Sequence, residues 1–289
     1  MVVRLGVDGG NTVIKVFGEK GEYKISARLG EFRAMSAEKK LGENDIIFEY
    51  KRRKGFAGTL AESESEFDYS LGTESKAHED IAIRVLLGIC KYTDESDFEI
   101  VVGQPISSHT ATEKALIKGF LLGEHDFVIN NVLRHINIQK VEVSAEGAAA
   151  YWAHPEEGVI HILDIGSNQV NAATFIDGNY QDKTSFSITE FGTETNITND
   201  VEAMTKAIYS RCYRRKWRPA EKVKIVGGRA SAFVTPFAQY FDNVSALSPK
   251  LPTSSNSKIR LLSPIYANAV GFYNIAEAVY GEEEQTDPC

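Results

Sequence analysis

Two stretches of the chain, one in each half, share a layout, and a layout repeated across a chain implies two related units. The first runs from Val3 to Phe17. Val3, Leu5 and Val7 alternate with Arg4, Gly6 and Asp8, which is the period of a strand. Gly9, Gly10 and Asn11 tolerate the backbone of a tight turn, and Thr12 to Phe17 reads as the returning strand. The second runs from Val159 to Ile176. An apolar strand ends on Asp164, Gly166, Ser167 and Asn168 make the turn, and a strand follows. Each hairpin leads through a further turn, Gly18 to Gly21 or Asp177-Gly178, into a third strand.

The residue types at these turns suit phosphate chemistry. Successive backbone N–H groups in a tight turn form an anion-binding nest. Lys15, on the returning strand, adds a point charge for phosphate. Asp8 and Asp164 can each hold a hydrated magnesium ion, which binds through few carboxylates and keeps its waters. One such hairpin alone reads better as a plain structural element; its repetition carries the functional reading.

Other elements follow from periodicity. Residues 75–92 read as a helix with Ile81, Val85, Leu86 and Ile89 as its apolar stripe. Phe98 to Gly103 is a buried strand ending in glycine. Thr110 to Leu122 reads as a helix with Ala115, Leu116 and Phe120 inward. Phe127 to Asn130 and Ile136 to Val143 read as strands. Ser144 is a good N-cap for an alanine-rich helix through Trp152, with Glu146 near its start. Residues 197–215 read as one long helix whose basic end holds Arg211, Arg214, Arg215, Lys216 and Arg218; the charge either complements the helix terminus or forms a docking patch. Val223 to Val226 is a strand ending in Gly227 and Gly228, which let a backbone approach a ligand closely. Ser231 to Tyr240 and Tyr266 to Tyr280 read as helices, the last capped by Gly281 before a frayed acidic tail. Residues 26–75 look least regular, with Ile46 to Tyr50 reading as a strand; the basic run 51–54 and acidic run 61–66 are either a solvated surface or two edges of a polymer contact.

This layout resembles the actin-like ATPase superfamily of actin, heat-shock chaperones and sugar kinases. Asp8 to Lys15 is similar to its first phosphate loop, Asp164-Ile165-Gly166 to its second and Val226-Gly227-Gly228 to its adenosine motif. Val101 to Ser107 and Tyr266 to Tyr273 resemble more narrowly the ParM-type plasmid-segregation actins. The resemblance implies an α/β fold: a duplicated, RNase H-like, two-domain actin-like architecture around a nucleotide cleft. Domain I would comprise residues 1–143, with the C-terminal helix 264–289 packing back on it, and domain II residues 144–263. Only one helix fits between Gly192 and Val223, so the subdomain that usually covers the adenine is small or missing, as in AlfA-type proteins.

The implied cofactors are ATP or GTP with magnesium. Asp8 and Asp164 would be the metal carboxylates. Gly9, Gly10, Asn11, Thr12, Lys15, Gly166, Ser167, Asn168, Gly227 and Gly228 would bind the nucleotide. Glu146 stands where the superfamily places the residue that orients the attacking water. The second loop departs from pattern, with Ser167, Asn168, Gln169 and Asn171 where a Gly-Gly-Thr and a second acid are common, which implies slow or modified hydrolysis. The implied function is a filament-forming ATPase that moves plasmid DNA through a DNA-binding adaptor. A sugar- or pantothenate-type kinase is the alternative; it needs a catalytic aspartate, and the segment Val102-Gly103-Gln104-Pro105 offers none. A non-catalytic nucleotide-sensing scaffold is a third reading.

Composition narrows the partners. The chain has 289 residues, 43% hydrophobic and 25% charged, with a net charge of −8. That balance argues against a broad basic face for direct nucleic-acid binding. Cys90, Cys212 and Cys289 have no metal-ligand spacing and fit a reducing, cytoplasmic setting. No signal peptide and no apolar run of membrane-spanning length is expected. The histidines show no ligand spacing.

Overall fold

The first two strands form the hairpin expected of them, and a large sheet grows around it. A computed structural model of the chain describes residues 2–35, 40–69, 75–252 and 259–286. In chain order its first part holds β1 (Val3–Gly9), β2 (Val13–Gly18), β3 (Gly21–Ser26), β4 (Leu29–Glu31), β5 (Asp45–Tyr50), β6 (Arg53–Gly58), α1 (Thr59–Glu64), α2 (Asp80–Tyr92), β7 (Asp97–Gln104), α3 (Ala111–Leu121), β8 (Gly123–Ile129) and β9 (Val132–Ala145). The second part holds α4 (Ala148–Tyr151), β10 (Val159–Ile165), β11 (Val170–Ile176), β12 (Asn179–Tyr180), β13 (Phe186–Ile188), α5 (Val201–Arg214), β14 (Lys222–Val226), α6 (Ala230–Phe237), β15 (Asn243–Ala246), β16 (Lys250–Pro252), β17 (Ile259–Leu261) and α7 (Ala267–Thr286).

The chain divides into two units. Unit 1 comprises residues 1–102, 112–143 and 276–289; unit 2 comprises 103–111 and 144–275. The large sheet has the order β3-β2-β1-β7-β9-β8-β5-β6-β4, and the sheet of unit 2 the order β12-β11-β10-β14-β15. The duplication is visible in this topology. β1 pairs antiparallel with β2 and parallel with β7. β10 pairs antiparallel with β11 and parallel with β14. In each unit the aspartate-bearing strand is therefore a central one, with a neighbouring strand on both edges.

Unit 1 packs α2 against its sheet. Ten consecutive residues of this helix, Asp80 to Ile89, are buried, so it is enclosed on more than the single stripe that periodicity indicated. Gly88 admits Val16 and Ile14 so closely that a Cβ there would lie 2.9 Å from Val16 Cγ2. The core of unit 2 is aromatic, with Phe186, Trp217, Phe233, Phe237 and Phe241 around Ile208 and Ile225.

Several elements differ from expectation. Among the described residues of 26–75, β5 is the strand expected at Ile46 to Tyr50, and β4 and β6 join it in the large sheet, with α1 following; Phe56, Leu60 and Ala61 are buried together. α2 starts at Asp80 rather than residue 75. In α3 the inward pair is Ile117 and Leu121, one turn apart, while Leu116 is 48% exposed and Ala115 faces solvent. The alanine-rich helix shrinks to α4, because β9 continues through Ser144 and Ala145. Glu146 extends the strand's pairing, its N–H donating to the Gln104 carbonyl at 2.9 Å. Gly147 then turns the chain at φ 75°, a backbone suited to glycine. Glu146 thus precedes the helix instead of riding on it. α5 begins at Val201, capped by the Asp200 carboxylate accepting from Ala203 N–H, and Ile197 is fully exposed ahead of it. α6 runs through Pro236 near its end. α7 continues through Gly281 to Thr286, where a cap was expected. β16 and β17 pair as a two-stranded ribbon; the serine-rich run between them lies outside the described residues. α5 is the only helix between β13 and β14 among the described residues, in keeping with a small or missing second subdomain. No described helix is long and apolar enough to cross a membrane.

Candidate functional site

Each unit gathers its candidate residues at the end of its central strand. In unit 1 the register pairs Asp8 with Lys15 across the hairpin. Lys15 Nζ lies 3.0 Å from Asp8 Oδ2, and Lys76 Nζ lies 3.3 Å from Asp8 Oδ1. Asp8 and Lys76 are both buried. Burial alone pushes the Asp8 carboxyl up; the charges and hydrogen bonds of Lys15 and Lys76 outweigh it and hold the group below its ordinary value of 3.8. Gly9 to Thr12 form the turn beside this pair. A Cβ on Gly10 would lie 2.9 Å from Lys15 Nζ and 2.6 Å from the Val13 carbonyl, so glycine is what lets the turn close over the lysine. Asn11 Oδ1 accepts a bond from Arg84 Nη1 at 3.3 Å.

Unit 2 places Asn171 where unit 1 has Lys15: its register pairs Asp164 with Asn171. Asp164 Oδ2 accepts from Asn268 Nδ2 at 2.8 Å, and Asn268 Oδ1 accepts from the Gly147 N–H at 3.0 Å. Asn171 Nδ2 donates to Glu146 Oε2 at 3.4 Å. Asn171 Oδ1 accepts from Ser187 Oγ at 2.7 Å and from the Ile106 N–H at 3.2 Å. Asp164, Glu146, Asn171 and Asn268 are all buried. Two glycines make the cluster possible. A Cβ on Gly147 would press on Asp164 and Asn171 at 3.3 Å, and one on Gly103 would meet Glu146 Cγ at 2.9 Å and Phe272 Cζ at 2.6 Å.

The second turn is held from outside. Gly166 N–H donates to Gln169 O at 3.0 Å, and the loop after β13 ties down the turn's carbonyls through Thr193 N to Gly166 O at 3.0 Å and Glu194 N to Ser167 O at 2.8 Å. Thr195 Oγ1 reaches Asn168 O at 3.4 Å. Gly192 sits so close that a Cβ would lie 2.1 Å from Ser167 O. Gly227 has φ 107°, and a Cβ there would lie 2.4 Å from Ile165 O, which puts the glycine pair beside the strand that carries Asp164. Gly228 is exposed.

The two donor sets differ in what they fit. At the first turn two ammonium groups flank one carboxylate, which suits a phosphate; a magnesium ion near Asp8 would have to be held through water. At the second, the carboxylates of Asp164 and Glu146 are hard donors of the kind magnesium accepts, while the carboxamide oxygens of Asn171 and Asn268 are engaged by Ser187, Ile106 and Gly147 and their NH2 groups orient the carboxylates. The described residues hold no cluster of three His, Cys, Asp or Glu side chains, so neither set is an all-protein metal cage.

Sequence reasoning missed Lys76, Arg84 and Asn268. Arg84 had a signal: it is a charge set inside the apolar run from Ile81 to Leu87. Lys76 and Asn268 had none beyond their residue type, since each meets its aspartate only across the fold.

The family described as Actin like proteins N terminal domain matches residues 6–148. No curated protein matches the chain. Among solved structures, an AlfA filament bound to AMPPNP superposes with a TM-score of 0.73 at 20% identity, over 99% of this chain and 98% of that one. A filament of AlfA from a B. subtilis plasmid gives 0.74 at 20% identity, over 93% and 97%. An archaeal actin homolog in complex with ADP gives 0.71 at 15% identity, over 96% and 100%. Residues 6–148 thus match an actin-like N-terminal domain, and the chain as a whole has the actin-like fold and is similar to the AlfA and ParM proteins.

Proposed function

We propose that this protein binds ATP or GTP with magnesium, assembles into filaments of its own chain and hydrolyses the nucleotide. The observation that carries the reading is the repeated hairpin with a buried aspartate at its turn, Asp8 in one unit and Asp164 in the other. The first turn, with Lys15 and Lys76, binds phosphate. Asp164, oriented by Asn268, would hold hydrated magnesium, and Glu146, steadied by Asn171, orients the attacking water. Phosphoryl transfer asks for this kind of positioning and charge neutralisation rather than a covalent nucleophile. Bound magnesium supplies charge neutralisation on the phosphates.

Support for assembly comes from the relatives: AlfA forms filaments and has been seen in one with AMPPNP. By the same likeness the filaments serve plasmid or DNA segregation in the cytoplasm, through a DNA-binding adaptor, since the net charge of −8 disfavours direct DNA binding. On this reading residues 1–143 with the helix 264–289, and residues 144–263, act as the two nucleotide-binding domains.

Light scattering and pelleting with ATP, GTP or AMPPNP, run beside phosphate release, test it. Scattering that rises above a critical protein concentration only with magnesium-nucleotide is the expected result. A protein that stays monomeric with every nucleotide and transfers phosphate to a sugar or pantothenate would be a kinase instead.

A further inference from the structure

Arg84 is a cation with too little around it. The side chain is fully buried, at 0% exposure. Among the described residues its one side-chain hydrogen bond is the 3.3 Å donation from Nη1 to Asn11 Oδ1, a neutral acceptor. Nε and Nη2 have no hydrogen-bond partner among the described residues. Asp80, one helical turn earlier, attracts the guanidinium electrostatically, yet no ion pair joins the two, and each of its oxygens already accepts a bond. Arg53 Nη1 donates to Oδ1, and Tyr69 Oη donates to Oδ2 at 2.8 Å. Burial pulls the Arg84 pKa down to about 10, which leaves it protonated at neutral pH. A buried charge of this kind is costly unless a counter-charge arrives.

The surroundings indicate where that counter-charge belongs. Arg53 and Asp80 cancel each other. At the first turn Lys15 and Lys76 meet the carboxylate of Asp8, and Arg84, joined to the turn through Asn11, forms no ion pair among the described residues. A phosphate group of a nucleotide would bring the negative charge that Arg84 lacks. Asn11 lies in the turn itself, half-buried, between Gly10 and Thr12.

We propose that Arg84 is a positioning residue for phosphate at the first turn: it grips the Asn11 carboxamide by its oxygen, so that the NH2 group is presented to the bound phosphate, and it supplies the charge that the turn's lysines leave incomplete. This rests on the reading that the first turn binds nucleotide. Without ligand the arrangement is under electrostatic stress, and phosphate relieves it. Arg84 acts through Asn11, so its effect on binding depends on the carboxamide being there.

Calorimetry with magnesium-AMPPNP and thermal melts of the full chain test this with Asn11→Asp, Asn11→Ser, Arg84→Gln and the double variant Asn11→Ser/Arg84→Gln. Asn11→Asp gives Arg84 a carboxylate partner and faces phosphate with a like charge. It should raise the melting temperature of the unliganded protein by about 2–4 °C and weaken AMPPNP binding about tenfold or more. The loss of affinity would follow from any carboxylate in the turn, so the coupling between the two side chains is the deciding measurement. Arg84→Gln should also weaken binding about tenfold, and the double variant should bind no worse than the weaker single, because the two side chains act as one unit. If Arg84→Gln does not fold, Arg84→Lys, alone and with Asn11→Ser, takes its place. A lower melting temperature in Asn11→Asp, unchanged AMPPNP affinity in it, or additive losses in the double variant would overturn the role of Arg84 while wild-type binding leaves the nucleotide reading standing. A wild-type protein that binds no nucleotide overturns both.

Discussion

Asn268 reaches Asp164 from 104 residues away and donates to its Oδ2 at 2.8 Å, while accepting from the Gly147 N–H with its own oxygen. One carboxamide thus sets both the magnesium candidate and the backbone beside Glu146. Asn268→Ala removes a donor to a buried carboxylate and an acceptor from a buried N–H. It should cost about 1–3 kcal/mol in chemical denaturation and weaken magnesium-dependent nucleotide binding. Asn268→Asp should be worse than Asn268→Ala for binding, because it sets a second carboxylate against Asp164. Equal stability of wild type and Asn268→Ala would show that the bridge contributes little.

Asp8 does structural as well as chemical work. Its replacement by Ala takes a buried carboxylate away from both Lys76 and Lys15, so Asp8→Ala should destabilise unit 1 by about 3 kcal/mol. Asp8→Ala is therefore a poor probe of binding alone. Lys76→Met removes a charge and keeps the stem's packing; it should weaken triphosphate binding while the melting temperature changes little. A Lys76→Met protein with wild-type affinity would take this lysine out of the phosphate site.

Glu146 is tested by its amide. Glu146→Gln keeps the shape and the contact with Asn171 but cannot accept a proton or draw on a negative charge. Single-turnover phosphate release should fall by one to two orders of magnitude, roughly 1.4–2.8 kcal/mol in the barrier, with nucleotide affinity nearly unchanged and filaments longer-lived. Unchanged release would move the water-orienting role to Asn168 or Asn171.

Acid should weaken unit 2 through Glu156, whose carboxylate meets Lys222 Nζ at 3.0 Å and Lys224 Nζ at 2.6 Å. Burial alone would raise its pKa; the hydrogen bonds and charges of Lys224 and Lys222 outweigh that and hold it at about 2, against an ordinary 4.5. A depressed folded-state value means that these ion pairs stabilise fully above pH 4.5 and that the stabilisation is lost as pH falls through about 2. The melting-temperature gap between wild type and Glu156→Gln should be flat above pH 4.5 and close towards pH 2. A gap that stays constant down to pH 2 would remove Glu156 from the acid response.

The sequence by itself determined the duplicated hairpins, since strand period and turn chemistry are local: Val3, Leu5 and Val7 before Gly9-Gly10, and the matching run ending at Asp164. It also determined that the chain between β13 and β14 has room for one helix, because that is a matter of length. It could not determine the pairing of Asp8 with Lys76, of Asp164 with Asn268 or of Asn11 with Arg84, because each joins residues far apart in the chain and depends on which strands neighbour which. Nor could it place Glu146. Alanine propensity argued for a helix from Ser144, but sheet pairing to Gln104 and the positive φ of Gly147 prevailed, since tertiary hydrogen bonds outweigh the few tenths of a kcal/mol that propensity contributes per residue. The same holds for residues 26–75, whose charged runs look solvated in the sequence. There β5 and β6 bury Ile46, Phe48 and Phe56 on a sheet that only the folded chain completes.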